Sequence, residues 1–190
     1  MKLKGLIAAP IVALLVTALS AAPDPLPEGW TRAGNASSCV VKTVATPGAP
    51  AAKSFEIACP KSAEGFATAM QTISAAEFAG KRVRLAAQVQ GEAVQTWAGL
   101  WLRGDAGASV GRVFDNMETR PLKGSFAWRE ASVVLQFPAD IDTLSFGMLL
   151  GGPGRLRATA FRLEVVDASV PLTEGPKATM PTRPTHMTPP

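Results

Sequence analysis

The stretch KRVRLAAQVQ, residues 81–90, alternates apolar and polar side chains at a strict period of two. Successive side chains of an extended strand point to opposite faces, so Val83, Leu85, Ala87 and Val89 share one face and Arg82, Arg84, Ala86, Gln88 and Gln90 the other. A helix cannot present that pattern. The same β-rich chemistry marks further candidate strands at 38–45, 53–59, 66–73, 94–103, 108–114, 128–137, 143–150 and 155–166. Gly-Lys, Gly-Asp-Ala-Gly, Pro-Ala-Asp and Gly-Gly-Pro-Gly supply turns between them, and one short helical turn fits at Ala75–Phe78. With no long amphipathic helix among them, these segments predict an all-β, antiparallel sandwich of about eight or nine strands.

The 190 residues suffice for one ordinary domain, and a hydrophobic content of 47% can fill its core. Composition divides the chain into four parts. Residues 1–20 read as a secretory signal peptide: Lys2 and Lys4, an uncharged apolar run, then small residues, with the cut after Ser20. The competing reading is an uncleaved membrane anchor, which Pro10 and the Ala-rich run disfavour. Residues 21–27 form a lead-in, residues 28–167 the sandwich domain, and residues 168–190 a tail rich in Pro and Thr. Such a tail has too few large apolar side chains to offset its ordering entropy, and is expected to be disordered. The expected location is periplasmic or secreted, with no stable membrane span after cleavage.

Export bears on the two cysteines. Cys39 and Cys59 flank a strand, a Pro-Gly-Ala-Pro turn centred near Ala49 and a second strand. In a symmetric hairpin they face each other, and in an oxidising compartment such a pair forms a disulfide. Two buried free thiols are the alternative. A zinc site is a poor reading, because His186, the chain's one histidine, lies in the tail.

Charge and side-chain inventory narrow the function. Setting aside Lys2 and Lys4 leaves 17 Lys and Arg against 15 Asp and Glu, scattered without a basic stripe, so nucleic acid is not an expected partner. With one histidine, in the tail, and no tyrosine, neither Ser–His–Asp nor Cys–His catalysis has its parts in the domain. Asp105, Asp115, Glu118 and Glu130 leave paired-carboxylate hydrolysis as a distant alternative. No catalytic residue, cofactor or metal is assigned, and the protein is read as a non-enzyme.

The stretches WAGLWLRGD (97–105), FDNMETRPLKGSFAWRE (114–130) and LSFGMLLGGPGRLRATAFRLEVV (144–166), with GFATAMQTISAAEFAGKRVRLAAQV (65–89), carry a family likeness. They resemble a jelly-roll domain found behind the helix-turn-helix of AraC-type transcriptional regulators, similar in turn to galactose-binding and carbohydrate-binding sandwiches. The resemblance covers roughly residues 28–167 and implies that fold. The expected signal peptide takes the place of the DNA-binding helices, so a regulator's role is not expected to carry over. Thr159 also replaces an acidic residue common in the final strand of such domains, which leaves a calcium contact there in doubt.

The candidate site rests on alternation again. In Trp97-Ala-Gly-Leu-Trp101-Leu-Arg103, residues Trp97, Gly99, Trp101 and Arg103 face one way and Ala98, Leu100 and Leu102 the other. A neighbouring polar face offers Arg84 and Gln88, and Asp115 and Asn116 supply further hydrogen-bonding groups. Indoles suit the apolar faces of sugar rings, and a few polar groups on an apolar wall is the usual make-up of a pocket. A glycan or other small polar ligand is the expected partner. The competing reading covers both indoles with loops and pairs Arg103 with Asp115. Trp30 and Trp128 are assigned to the core or its rim. A structural or protein-interaction domain docking an envelope protein is the alternative function.

Overall fold

The computed structural model describes residues 25–173. Nine strands account for its regular structure: β1 (Trp30–Gly34), β2 (Val40–Ala45), β3 (Lys53–Cys59), β4 (Phe66–Ser74), β5 (Arg82–Ala106), β6 (Ser109–Asp115), β7 (Leu122–Gln136), β8 (Thr143–Gly151) and β9 (Gly154–Val166). Every pairing is antiparallel. The hydrogen-bonded order is β1-β4-β8-β5-β9-β3-β2, with β6 and β7 also on β5.

That continuous order folds into two layers because β5 belongs to both. Its first part, Arg82–Glu92, lies between β7 and β9, while Trp97–Asp105 pairs with β8 and its end with β6. Between them the register against β7 slips repeatedly. Gly91 sits at this bend, where a Cβ would lie 2.2 Å from the Phe126 ring, so any larger residue would have to displace that ring. One layer is therefore β7-β5-β9-β3-β2 and the other β1-β4-β8-β5-β6. Their inner faces share a single core in which Val83, Leu85, Val89, Leu100, Leu102, Met148, Leu150 and Leu156 are fully buried. Rings bridge the layers, with Trp30 4.2 Å from Phe55 and 5.7 Å from Phe146. Trp30 thus packs on the core as assigned.

Cys39 and Cys59 form a disulfide across the first hairpin, at a Cα separation of 4.2 Å. The register of β2 and β3 opposes Val40 to Ala58, which places the two cysteines directly opposite each other. The turn at Ala75–Phe78 is present, with the Phe78 amide donating to the Ala75 carbonyl at 2.8 Å.

The Pro- and Thr-rich tail begins later than residue 168. Arg82 Nη1 donates to the Ala168 and Val170 carbonyls at 2.7 and 2.6 Å. Thr173 then runs along the free edge of β7, its amide donating to the Val134 carbonyl at 3.0 Å and its hydroxyl accepting from the Val134 amide at 2.7 Å. Composition missed this because backbone pairing to an unfilled sheet edge needs no large apolar side chain. The rest of the tail, including His186, and the proposed signal peptide lie outside the described residues.

Candidate functional site

The outer face of the β1-β4-β8-β5-β6 layer carries a groove of about 300 Å³. Its lining follows strand register. One cross-strand row joins Phe66, Gly151 and Trp97, a second Ala33, Thr68, Leu149 and Gly99, and a third Met70, Gly147 and Trp101. Arg103 and Phe114 close the far end as an opposed pair on β5 and β6. All these positions alternate with the core residues of their strands, so the groove is the solvent side of the sheet.

Glycine makes room for the indoles. Trp101 on β5 donates from Nε1 to Thr68 Oγ1 on β4 at 2.8 Å, so its ring crosses the intervening strand β8, where Gly147 has no side chain. Thr68 passes its own proton to the Met148 carbonyl at 2.7 Å. Trp101 is 6% exposed and forms the floor. Trp97, half-buried, lies over Gly151 and donates to the Asn116 carbonyl at 3.2 Å. Both indole N–H groups are thus satisfied within the protein, which turns ring faces rather than polar edges toward the groove. Phe114 is 46% exposed and Phe66 39%, large values for phenyl rings, and both belong to the lining.

Arg103 stands at the rim, its guanidinium 6.0 Å from the Trp101 ring centre. Its Nε and Nη2 bind Asp105 Oδ2 at 3.0 and 2.9 Å, and the other Asp105 oxygen accepts from the Gly111 amide at 2.6 Å. Asp105 is therefore a structural acid that holds Arg103 in place and ties down the β5–β6 hairpin.

The flank read from sequence divides here. Trp97, Trp101, Arg103 and Asn116 line the groove. Arg84 and Gln88 do not: they project from the outer face of the other layer, on the far side of the core. There Arg84 binds Glu164 at 2.6 Å, and this bond holds the Glu164 carboxyl below its ordinary value. Asp115 also leaves the set. It is 7% exposed, accepts from both Arg120 Nη groups at 3.0 and 2.6 Å, and accepts from the Thr173 hydroxyl at 2.7 Å. The ion pair drawn between Arg103 and Asp115 is replaced by two separate ones, Arg103–Asp105 and Arg120–Asp115.

Sequence reasoning missed Phe66, Met70, Phe114 and Leu149. Their strands were legible, but assigning them to one floor needed the pairing of β4 with β8 and β8 with β5. It also missed Met117, whose sulfur accepts from the Leu100 amide at 3.3 Å where β5 passes from β7 to β6. Thr159, the departure from the family pattern, donates to the Lys53 carbonyl at 2.8 Å. Among the described residues no group of three His, Cys, Asp or Glu side chains could hold a metal ion.

Fold and groove together define an antiparallel β-sandwich with an aromatic cleft on one sheet. No protein-family model matches the chain. The uncharacterised helix-turn-helix transcriptional regulator YbfP of Bacillus subtilis is 41% identical over 108 residues, 57% of this chain, and the chain spans 37% of that regulator's length. In fold the chain is similar to the CBM22-1 xylan-binding domain of Paenibacillus barcinonensis Xyn10C, with a TM-score of 0.54 at 12% identity over 77% of this chain and 91% of that domain. It is also similar to the enzymatically active domain of the bacteriophage CBA120 tailspike protein 4, with a TM-score of 0.58 at 14% identity, over 73% of this chain and 20% of that one. Identities this low speak to the fold, and both sides of the resemblance read from sequence, regulator-linked and carbohydrate-binding, have a counterpart.

Proposed function

We propose that this chain is a non-catalytic binding module that takes a glycan in the Trp97/Trp101 groove, and that it works after export. One observation carries the reading: an outer sheet face presents aromatic rings whose N–H groups are all turned inward, leaving apolar planes of the kind that sugar rings stack on. At about 300 Å³ the groove is at the lower end for ligand sites, with room for roughly one or two sugar rings. The xylan-binding neighbour makes xylo-oligosaccharides the first ligands to try. The engagement of Asp105 and Asp115 in ion pairs supports a non-catalytic role, since both carboxylates are taken up by arginine partners within the protein. The Cys39–Cys59 disulfide and the N-terminal pattern support export.

Titration of the full chain with neutral oligosaccharides, followed by tryptophan fluorescence, tests the proposal. Saturable quenching that Trp97→Ala weakens about tenfold or more, equal to roughly 1.4 kcal/mol, is expected. No response across xylan, arabinan, galactan and glucan fragments would overturn it. Release of reducing ends during the same incubation would instead favour the hydrolase reading.

A further inference from the structure

The groove is lined by a single ionised side chain, and it is a cation. No aspartate or glutamate belongs to the lining, and Arg103 stands alone at one end. Most of the other polar groups are already spent. The two indole N–H groups and the Thr68 hydroxyl donate within the protein, and the Asn116 side-chain oxygen accepts from the Glu118 amide at 3.1 Å. A ligand therefore meets ring surface, with donors at Arg103 and Asn116 Nδ2.

Arg103 is engaged on one edge only. Its Nε and Nη2 both donate to Asp105 Oδ2, while Nη1 has no protein partner among the described residues. The side edge of the guanidinium is thus taken, and the end edge, formed by Nη1 and the second hydrogen of Nη2, is the fork that a carboxylate matches bidentately. Asp105 offsets part of the charge without blocking that fork. Its other oxygen accepts from the Gly111 amide, and its side chain is 10% exposed against 31% for Arg103. A braced guanidinium also loses less side-chain freedom when a ligand binds.

The fork stands beside ring surface. The guanidinium lies 6.0 Å from the Trp101 ring centre, and the exposed Phe114 ring, opposite Arg103 in register, is 6.4 Å from Trp101 between centroids. A hexuronate has the matching parts: a pyranose with an apolar C–H face and a carboxylate attached directly to the ring. One cation answers one carboxylate, because each further acid would lose water over aromatic surface with no counter-charge.

We propose that the Arg103–Phe114 end of the groove takes the carboxylate of a single uronate unit borne on an otherwise neutral oligosaccharide. The inference rests on the glycan reading and narrows it to weakly acidic chains.

The test titrates the full chain, by tryptophan fluorescence, with a xylo-oligosaccharide, the same oligosaccharide carrying one glucuronate branch, and an oligogalacturonate of similar length. At low salt the singly acidic ligand is expected to bind about tenfold more tightly than the neutral one, as a charge-assisted hydrogen bond allows. That advantage should shrink in roughly 0.5 M salt, and the oligogalacturonate should bind more weakly than the singly acidic ligand. In Arg103→Gln the ratio of the acidic to the neutral affinity should fall to near unity; the salt response of the unaltered protein reads the same contact should the variant not fold. Equal, salt-insensitive affinities for the branched and unbranched ligands would overturn the carboxylate subsite and leave the glycan reading standing. A preference that survives in Arg103→Gln, or tighter binding of the oligogalacturonate, would overturn the single-uronate assignment. No binding of any of the three would sink the glycan reading and this inference with it.

Discussion

The two halves of β5 are one strand with one alternation, yet they build surfaces of opposite character. Along Arg82–Glu92 the outward side chains enter a ladder of charges: Arg84 pairs with Glu164, Glu164 with Arg162, and Arg162 with Glu130. Further along the same face, buried Glu56 gathers Lys42, Arg155 and Arg157 at 3.6, 3.5 and 2.8 Å. Each of these paired charges has its counter-charge within the sheet, and Arg82 at the end of the row is taken up by backbone carbonyls, so the face is largely satisfied as it stands. Along Trp97–Arg103 the outward side chains are indoles laid over glycines, with exposed phenyl rings around them. Solvent cannot satisfy that surface as it satisfies the first, and an apolar cleft left open on one sheet is where a ligand gains from displacing water.

The sharpest way to break this contrast is to truncate both faces at their centres. Trp101→Ala removes a ring that is 6% exposed and hydrogen-bonded to Thr68, and should cost about 3–5 kcal/mol in denaturant unfolding, as large aromatic truncations do. Arg84→Ala, on the charged face, removes an ion pair about one-third exposed and should cost no more than about 1 kcal/mol. Equal losses would mean that the charged ladder, not the aromatic floor, organises the molecule. Cys39→Ser comes next: opening a loop with a sequence separation of 20 should cost about 3 kcal/mol under oxidising conditions and leave the far groove unchanged. Quantitative maleimide labelling of both thiols in the unreduced protein would contradict the bridge.

Trp97→Ala separates binding from stability. Its ring is half-buried and covers Gly151, so the melting temperature should fall less than for Trp101→Ala, while the tenfold loss of oligosaccharide affinity expected above should exceed that of any charged-face variant. Gln88→Ala should leave affinity untouched. A matching loss in Gln88→Ala would place the ligand on the other layer and reverse the assignment of the two faces.

Much of this fold is legible in the sequence because alternation is a local signal. The strands from β2 to β9 fall close to the segments with period-two chemistry, and the hairpin cysteines could be opposed by counting from the turn. The misses have physical causes. β1, WTRAG, is too short and too polar to show a period, and the first part of β7 is masked by Lys-Gly-Ser. β5 was read as two strands because Gly91–Ala93 looks like a break, though it is the bend by which one strand serves both layers. That bend also explains why Arg84 and Gln88 were grouped with the indoles. Parity along a strand survives the crossing, but "outward" then points to the opposite side of the molecule. Asp115 and Asn116 parted for a simpler reason: neighbours in an extended strand end face opposite ways, and only Asn116 turns to the cleft.

The smallest expected effect tests whether the charged face is as self-contained as it looks. Glu164 has its carboxyl held below the ordinary value, chiefly by the hydrogen bond from Arg84 and then by the charges of Arg84 and Arg162. A depressed acid stabilises the fold above its unfolded-state pKa, and that contribution disappears as pH falls through the lower, folded-state value. The native protein should therefore be slightly more stable than Glu164→Gln at pH 7, and the two melting curves should converge on the acid side of the ordinary glutamate range. Salt should shrink the difference at pH 7, since both partners are about one-third exposed. Oligosaccharide affinity should not follow this titration, because no atom of the ladder reaches the groove. If affinity rose and fell with Glu164, the two faces of the sandwich would be coupled through β5, and the bend at Gly91 would be a hinge between them rather than a fixed corner.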